Sequence, residues 1–472
     1  MSRRFALSML LLSATVLAGC ATVDFDQQLA TSNQDAAAFT AGKLSLVRTD
    51  EQRQQRQAEV DRLLAAPLGQ AEAVQLALAG SPAVQAALAE RWADAADAAQ
   101  SARLTNPLFK FERMRLGTEL ELTRTLSFGL FELLTLPARA TQANLRIAAS
   151  QVQLTAGVVD QVTQVRQAWV RAVAARQNLG YARQVFESAE VSADLARRMQ
   201  AVGNWNRLTR VRQQLFYADA ATQLTMAQQA DATARAQLVR LLGLDAAQSE
   251  RLQLPARLPD LPKAPLAPDA VGRQAIDTRL DVRLARARYD QAAQAQGLGT
   301  VSSVIDVEFD FKNKTVWPEA GADRESGHGW ELGVRLPLFD FGDVRRDAMN
   351  ARTLAAANQL EGMRRSASSQ VQESYATYRT AWDVARHYRD EVIPLRQLMQ
   401  EENLLRYNGM LIGVFELLAD ARDQVRSVIS ALDAQQQFWL ADAALQASMV
   451  GQPTGATLSA SSNTGASDAA AH

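Results

Sequence analysis

The chain has 472 residues and a net charge of -1 from 50 basic and 51 acidic side chains, a balance that gives no footing for nucleic acid. A single cysteine excludes an internal disulfide, and the three histidines (His328, His387 and His472) sit at no metal-ligand spacing. No nucleophile elbow, phosphate-binding loop or paired metal motif is present, and "GHG" around His328 reads as a loop between strands. The expectation is therefore a protein that is not an enzyme and holds no cofactor.

The N-terminus carries the first positive signal. Arg3 and Arg4 precede an apolar run from Phe5 to Leu17, too short for a mature membrane span, and Leu17-Ala18-Gly19 then leads into Cys20. This reads as a signal peptide over 1–19 with a lipobox, in which Cys20 is acylated. Ala21 behind it, in place of an aspartate, favours passage to an outer membrane. Residues 20–67 form a lipid-anchored N-terminal segment. Beyond the signal no run of 18 or more apolar residues occurs, so no transmembrane helix is expected.

Next come a first helix and two short tracts of period two. "PLFKFERMR" sets Phe109 and Phe111 against Lys110 and Glu112, and "TELELTRTL" sets Leu120, Leu122 and Leu126 against Glu119, Glu121 and Thr123. Strands are expected near 107–116 and 118–128. No proline then lies between Pro137 and Pro255, and proline is excluded from helix interiors, so this tract predicts very long helices. Val158, Val162, Val165 and Trp169 mark an apolar seam on one of them. A helix of about 60 residues extends roughly 90 Å, longer than a compact domain needs. The first half, 68–250, closes after a turn near 203–210.

"LPARLPDLPKAPLAP" (Leu254 to Pro268) holds five prolines and predicts an extended linker over 251–270. The second half, 271–450, repeats the order of the first: helix, two strands, long helix, turn, helix. Its strands are expected near 303–312, with Ile305, Val307, Phe309 and Phe311 alternating with acids and Lys312, and near 329–338, with Trp330, Leu332, Val334, Leu336 and Leu338 on one face. Between Pro337 and Pro453 only Pro394 intervenes. A seam of Leu418, Ala421, Val425, Val428, Leu432 and Trp439, with Gln435 as its polar member, lies beyond a turn near 408–420. "ALAGSPAVQAALAERWADAADAAQ" is echoed by "AIDTRLDVRLARARYDQAAQAQ", which suggests an internal repeat. The small, polar residues of 451–472 read as disordered.

Apolar–polar alternation fits a half-buried soluble strand and equally a strand of an outer-membrane barrel. The signal at Cys20 favours the second. Four strands cannot close a barrel and open edges are not tolerated in lipid, so several chains would share one; three chains give twelve strands.

Taken together, the chain resembles the TolC family of outer-membrane efflux channels, in its lipoprotein branch, from about Leu68 to Gly451. "RLPLFDFGDVRR" resembles the family's strand-to-helix junction, "AVGNWNRLTRVRQQ" its first helical tip and "RYNGMLIGVFELLADAR" its second. The resemblance implies a mainly α chain with membrane β: a long-helix α-barrel, four strands per chain contributed to a trimeric twelve-stranded β-barrel, and two structural repeats. It implies an outer-membrane, lipid-anchored duct that expels small molecules or ions. The partners implied are a periplasmic adaptor and an inner-membrane pump of the resistance-nodulation-division type. A pore-less helical lipoprotein tethered to the membrane is the alternative, as is a duct for type I protein secretion.

By the same resemblance, Gly203, Asn204, Met410, Leu411 and Ile412 belong to adaptor-contacting tips, and Thr209, Arg210, Phe415, Glu416 and Asp420 to the periplasmic entrance. Glu416 stands where the family often has an acidic gate residue. In a three-fold tube one inward carboxylate per chain becomes a ring of three, attracting cations and repelling anions. Thr209 and Arg210 stand in place of an acid, Met410 in place of the usual glycine, and Ile412 where some members carry a basic residue. These departures lead us to expect closure or docking through apolar packing of Leu411, Ile412 and Phe415.

Overall fold

The computed structural model describes residues 24–37, 39–117, 119–268, 278–302, 306–318, 323–335, 339 and 341–451, without the side chains at 297–302, 306, 335, 414 and 415. Cys20, Ala21, Ile305, Leu336, Leu338 and the polar tail beyond Gly451 lie outside the described residues. In chain order the helices and strands are α1 (Phe25–Asp35), α2 (Asp50–Leu63), α3 (Gln70–Gly80), α4 (Pro82–Ser101), β1 (Leu108–Leu116), β2 (Glu119–Gly129), α5 (Leu130–Ala201), α6 (Arg207–Leu242), α7 (Ala246–Arg251), α8 (Leu280–Ser302), β3 (Asp306–Trp317), β4 (Glu325–Arg335), α9 (Asp343–His387), α10 (Ile393–Asn408) and α11 (Val414–Val450). The first proline-poor tract is α5 and α6, and α5 alone has 72 residues with Pro137 inside its N-terminal end. Pro394 stands in the first turn of α10, directly after a single π-helical turn over Tyr388–Val392. A proline has no N–H to give, and the widened turn absorbs the break.

The chain divides into two compact units, each assembled from both halves of the sequence. The first contains Glu90–Gln153 and Val282–Arg365, with residues 24–28. Its strands form one antiparallel sheet in the order β1-β2-β3-β4, so that the two hairpins join along β2 and β3. β3 runs past its expected end to Trp317, and β4 starts at Glu325. At one end of the sheet, Gly117 (φ 62°) lies in the β1–β2 turn; at the other, β2 leads directly into α5. Small side chains are buried in this unit: Ala95 on α4, Ala102 in the turn after it and Ala143 on α5 have no exposed surface. Gln291 donates to the Leu145 carbonyl at 3.1 Å, binding α8 to α5.

The second unit contains Leu29–Ala89, Leu154–Asp281 and Ser366 onward. Val158, Val162, Val165 and Trp169 are all buried, so the first seam is core, and the Trp169 indole donates to the Leu68 carbonyl at 2.7 Å. The seam expected on α11 is half-buried: Leu418, Val425, Val428, Leu432 and Trp439 are partly covered, and Val425 and Trp439 pack against apolar clusters. The fully buried stripe of α11 is Ala434, Phe438, Ala441 and Leu445, packed with Tyr378 and Trp382 of α9. Ala421 is exposed, and Gln435 and Trp439 instead donate to the Pro259 carbonyl, at 2.8 and 3.1 Å.

The proline-rich segment covers part of that seam. It is extended, but it is a strap laid on the helices rather than a free spacer. Leu254, Leu258 and Leu261 are buried. Trp382 donates to the Pro262 carbonyl, Tyr375 to the Leu266 carbonyl, and the Leu266 N–H donates to the Tyr378 hydroxyl. The carbonyls of Pro259, Pro262 and Leu266 are satisfied by side chains of α9 and α11. Beyond the strap, the Arg279 guanidinium is buried in a bidentate pair with Asp281 and donates to the carbonyls of Ala367 and Ser448. One side chain thus fastens the entry of α8 to α9 and α11.

Candidate functional site

The residues expected at the tips lie in two turns of the second unit. After α5, Gly203 takes φ 78°, and the N–H groups of Asn204 and Trp205 both reach the Met199 carbonyl, at 2.9 and 3.2 Å. Asn206 then caps α6, its side chain accepting from the Thr209 N–H at 2.9 Å. Thr209 is buried and Arg210 half-buried, whereas Asn204 is exposed.

The second turn joins α10 to α11. Met410 has φ 59°, the left-handed conformation that favours glycine, while Gly409 before it has φ -77°. The glycine one position early therefore does not take over the strained position; Met410 occupies it, at a cost of about 1 kcal/mol. Met410 is 93% exposed and Leu411 77%, and Ile412 is half-buried. The side chain of Phe415 lies outside the described residues.

Glu416 is exposed in the first turn of α11, its N–H bound to the Gly413 carbonyl at 3.1 Å. A carboxylate there faces the positive end of the helix. Asp420, one turn on, is buried instead, its carboxylate 4.0 Å from the Arg396 guanidinium on α10. The two acids thus have different surroundings, one open and one turned to the neighbouring helix.

Two arginines that sequence reasoning passed over connect these elements. Arg396 also donates to the Ser427 hydroxyl at 3.1 Å. Arg422 reaches α6, donating to the Arg212 carbonyl and the Gln213 side chain at 3.4 Å, with its guanidinium 4.7 Å over the Phe216 ring. Burial, and then the nearby Arg426, lower the Arg422 pKa. Their signal was present as arginines beside the apolar seam, where a long stem can pack and a charged head can find carbonyls.

In the first unit, the strand register separates two faces. One face, made by odd residues of β1 and β3 and even residues of β2 and β4, aligns Phe109, Leu126, Phe311 and Trp330 in one row and Phe128, Phe309 and Leu332 in the next. This face carries no aspartate or glutamate. Every acid of the strands is on the other face, where Lys312 pairs with Glu331 and Lys314 with Glu121. One side of the sheet is thus free of acids and mainly apolar, with Arg113, Arg115 and Arg124 as its cations, and the other carries the ion pairs; β1 and β4 are the edges. Among the described residues no helix is long and apolar enough to cross a membrane, and no cluster of His, Cys, Asp and Glu is placed to hold a metal ion.

No protein-family model matches the chain, and no curated protein does. Solved structures do. The chain is similar to CusC, described for transmembrane channel formation, at 15% identity and a TM-score of 0.66, covering 84% of this chain and 92% of that one. It is similar to the outer membrane protein VceC of Vibrio cholerae at 16% identity and a TM-score of 0.65, over 84% and 98% of the two chains. The outer-membrane channel OprN aligns at 16% identity and a TM-score of 0.64, over 92% and 97%. Nearly whole chains superpose, so the fold is that of outer-membrane channels, as the sequence resemblance implied.

Proposed function

We propose that this chain is one subunit of an outer-membrane export duct of the TolC family, and that it catalyses no reaction. The observation that carries this reading is the four-stranded sheet with an acid-free apolar face, an ionic face and two open edges. In lipid every backbone polar group needs a partner, so β1 and β4 call for strands from further copies of the chain. The apolar face then meets lipid and the ionic face lines a wet lumen. Three copies make twelve strands, an even number in the usual range. The shared fold of the channels above supports the same reading.

The duct would work with a periplasmic adaptor and an energised inner-membrane pump. Met410 and Leu411 fit adaptor contact or closure because they are exposed and apolar; Ile412, Gly203 and Asn204 lie in the same two turns. Glu416 is the carboxylate open to form a three-fold ring. Asp420, held toward Arg396, is better suited to joining α10 to α11.

The test is conductance of the purified chain in planar phospholipid bilayers. A cation-selective pore is expected. Glu416→Gln should reduce cation preference several-fold while leaving assembly intact, since three charges leave the mouth at once. A protein that never conducts would identify a tethered, pore-less rod.

A further inference from the structure

We infer that the apolar face of the sheet ends, at its hairpin side, in a binding surface for the phosphate groups of a membrane glycolipid, formed by Arg113 and Arg115 with Arg124 behind them. This inference rests on the outer-membrane reading above.

The register places all three arginines on the face that lacks acids. Arg115 is in the row of Leu120 and Trp317, Arg113 in the row of Leu122 and Thr315, and Arg124 in the row of Phe111 and Asn313. Strict alternation would put apolar residues at these outward positions. Three cations on a lipid-facing surface are costly unless their heads reach an interface.

Their height supplies that interface. Val307 to Trp317 spans ten residue steps of β3, about 33 Å at roughly 3.3 Å per residue. At a tilt of about 40° this is about 25 Å, the usual height of an outward apolar band. Arg115 shares a register row with Trp317 near the rim, and Arg113 lies about 5 Å nearer the midplane than Arg115. Arg124 lies deeper and reaches toward the rim, donating to the Asn313 side-chain amide oxygen at 3.3 Å and the Thr315 hydroxyl at 3.4 Å. Arg113 and Arg115 are exposed and ion-pair with none of the described residues.

Which leaflet they meet follows from topology. Strands and helices join at the opposite end of the sheet, so with periplasmic helices the hairpin end faces the cell exterior. The outer leaflet there consists of phosphorylated glycolipid, whose phosphates match paired guanidinium groups in charge and geometry. Neighbouring copies join through the backbone edges of β1 and β4 and leave this face free. The occupant is therefore the glycolipid, not a second chain.

The experiment measures binding of bisphosphorylated lipid A to the full-length chain in mild detergent by native mass spectrometry. Dephosphorylated lipid A and phosphatidylglycerol serve as the other probes. About a fivefold loss per arginine is expected, so Arg113→Gln/Arg115→Gln should weaken lipid A binding roughly 25-fold. The opposite-face double variant Lys312→Gln/Lys314→Gln should stay within about twofold. Unchanged binding by the arginine variant, equal losses in both variants, or equal binding of the dephosphorylated lipid or of phosphatidylglycerol would each overturn the assignment. Bilayer conductance separates the two readings. Wild type that conducts without lipid A selectivity sinks only this inference, whereas wild type that never conducts sinks the duct.

Discussion

At the scale of single residues, burial decides which charges matter. Asp442 on α11 accepts from Gln446 at 2.7 Å, and Gln446 accepts from Arg166, which also donates to the Phe39 carbonyl and stacks on its ring. Burial pushes the Asp442 carboxyl up from 3.8 to about 6, against the pull of Arg166 and the Gln446 hydrogen bond. Between pH 3.8 and 6 the folded chain keeps a proton that the unfolded chain has lost. Stability from this group therefore falls as pH rises through that window and is constant above it. The change is roughly 2 kcal/mol after allowance for partial exposure. Asp442→Asn should flatten this part of the profile, measured as unfolding midpoint against pH. An unchanged slope would assign it to other groups. Nothing in the sequence marks Asp442 among 51 acids, because its burial is set by tertiary packing and the charge that opposes the shift, Arg166, lies 276 positions away.

At the scale of elements, helix ends carry the specificity. Gly243 closes α6 with φ 71°, and a Cβ there would lie 2.6 Å from Pro82 Cδ and 2.7 Å from Ser81 Cα. Both the backbone conformation and the start of α4 exclude a side chain. Gly243→Ala should cost roughly 2 to 4 kcal/mol, combining left-handed strain with overpacking. Faster amide exchange at the α3–α4 and α6–α7 junctions would check it. Exchange unchanged at those junctions would mean that they open to admit the methyl group.

Long helices and strand faces were legible because proline exclusion and period-two alternation are local properties. Alternation in "TELELTRTL" and "VIDVEFDFK" sorted the apolar from the acidic residues as the register does, with Arg124 as a cation on the apolar side. The seam on α11 was not legible in the same way. Which stripe is buried depends on the proline strap, and the strap takes Gln435 and Trp439 for its carbonyls. Nor could spacing tell Glu416 from Asp420, which share a helix and differ through Arg396 on another one.

At the scale of the whole molecule, the open edges of the sheet and the lipid signal make separable statements. If the strands enter lipid, an acyl group on Cys20, which the lipobox predicts, is a second anchor and not the sole one. A Cys20→Ser chain exported by another signal should still yield heat-modifiable trimers, seen as a slow band on unboiled gels that collapses on heating. A wholly soluble monomer would show that acylation alone holds the chain at the membrane.

The sequence by itself determined the kind of elements, their order and the polarity of each strand face, because these follow from residue type and spacing along the chain. Tertiary structure alone decided the pairing of the hairpins through β2 and β3, the docking of the proline strap, the burial of Arg279 against the carbonyls of Ala367 and Ser448, and the register row that holds both Arg115 and Trp317. Each of those joins residues distant in sequence, and only a register or a packed surface brings them together.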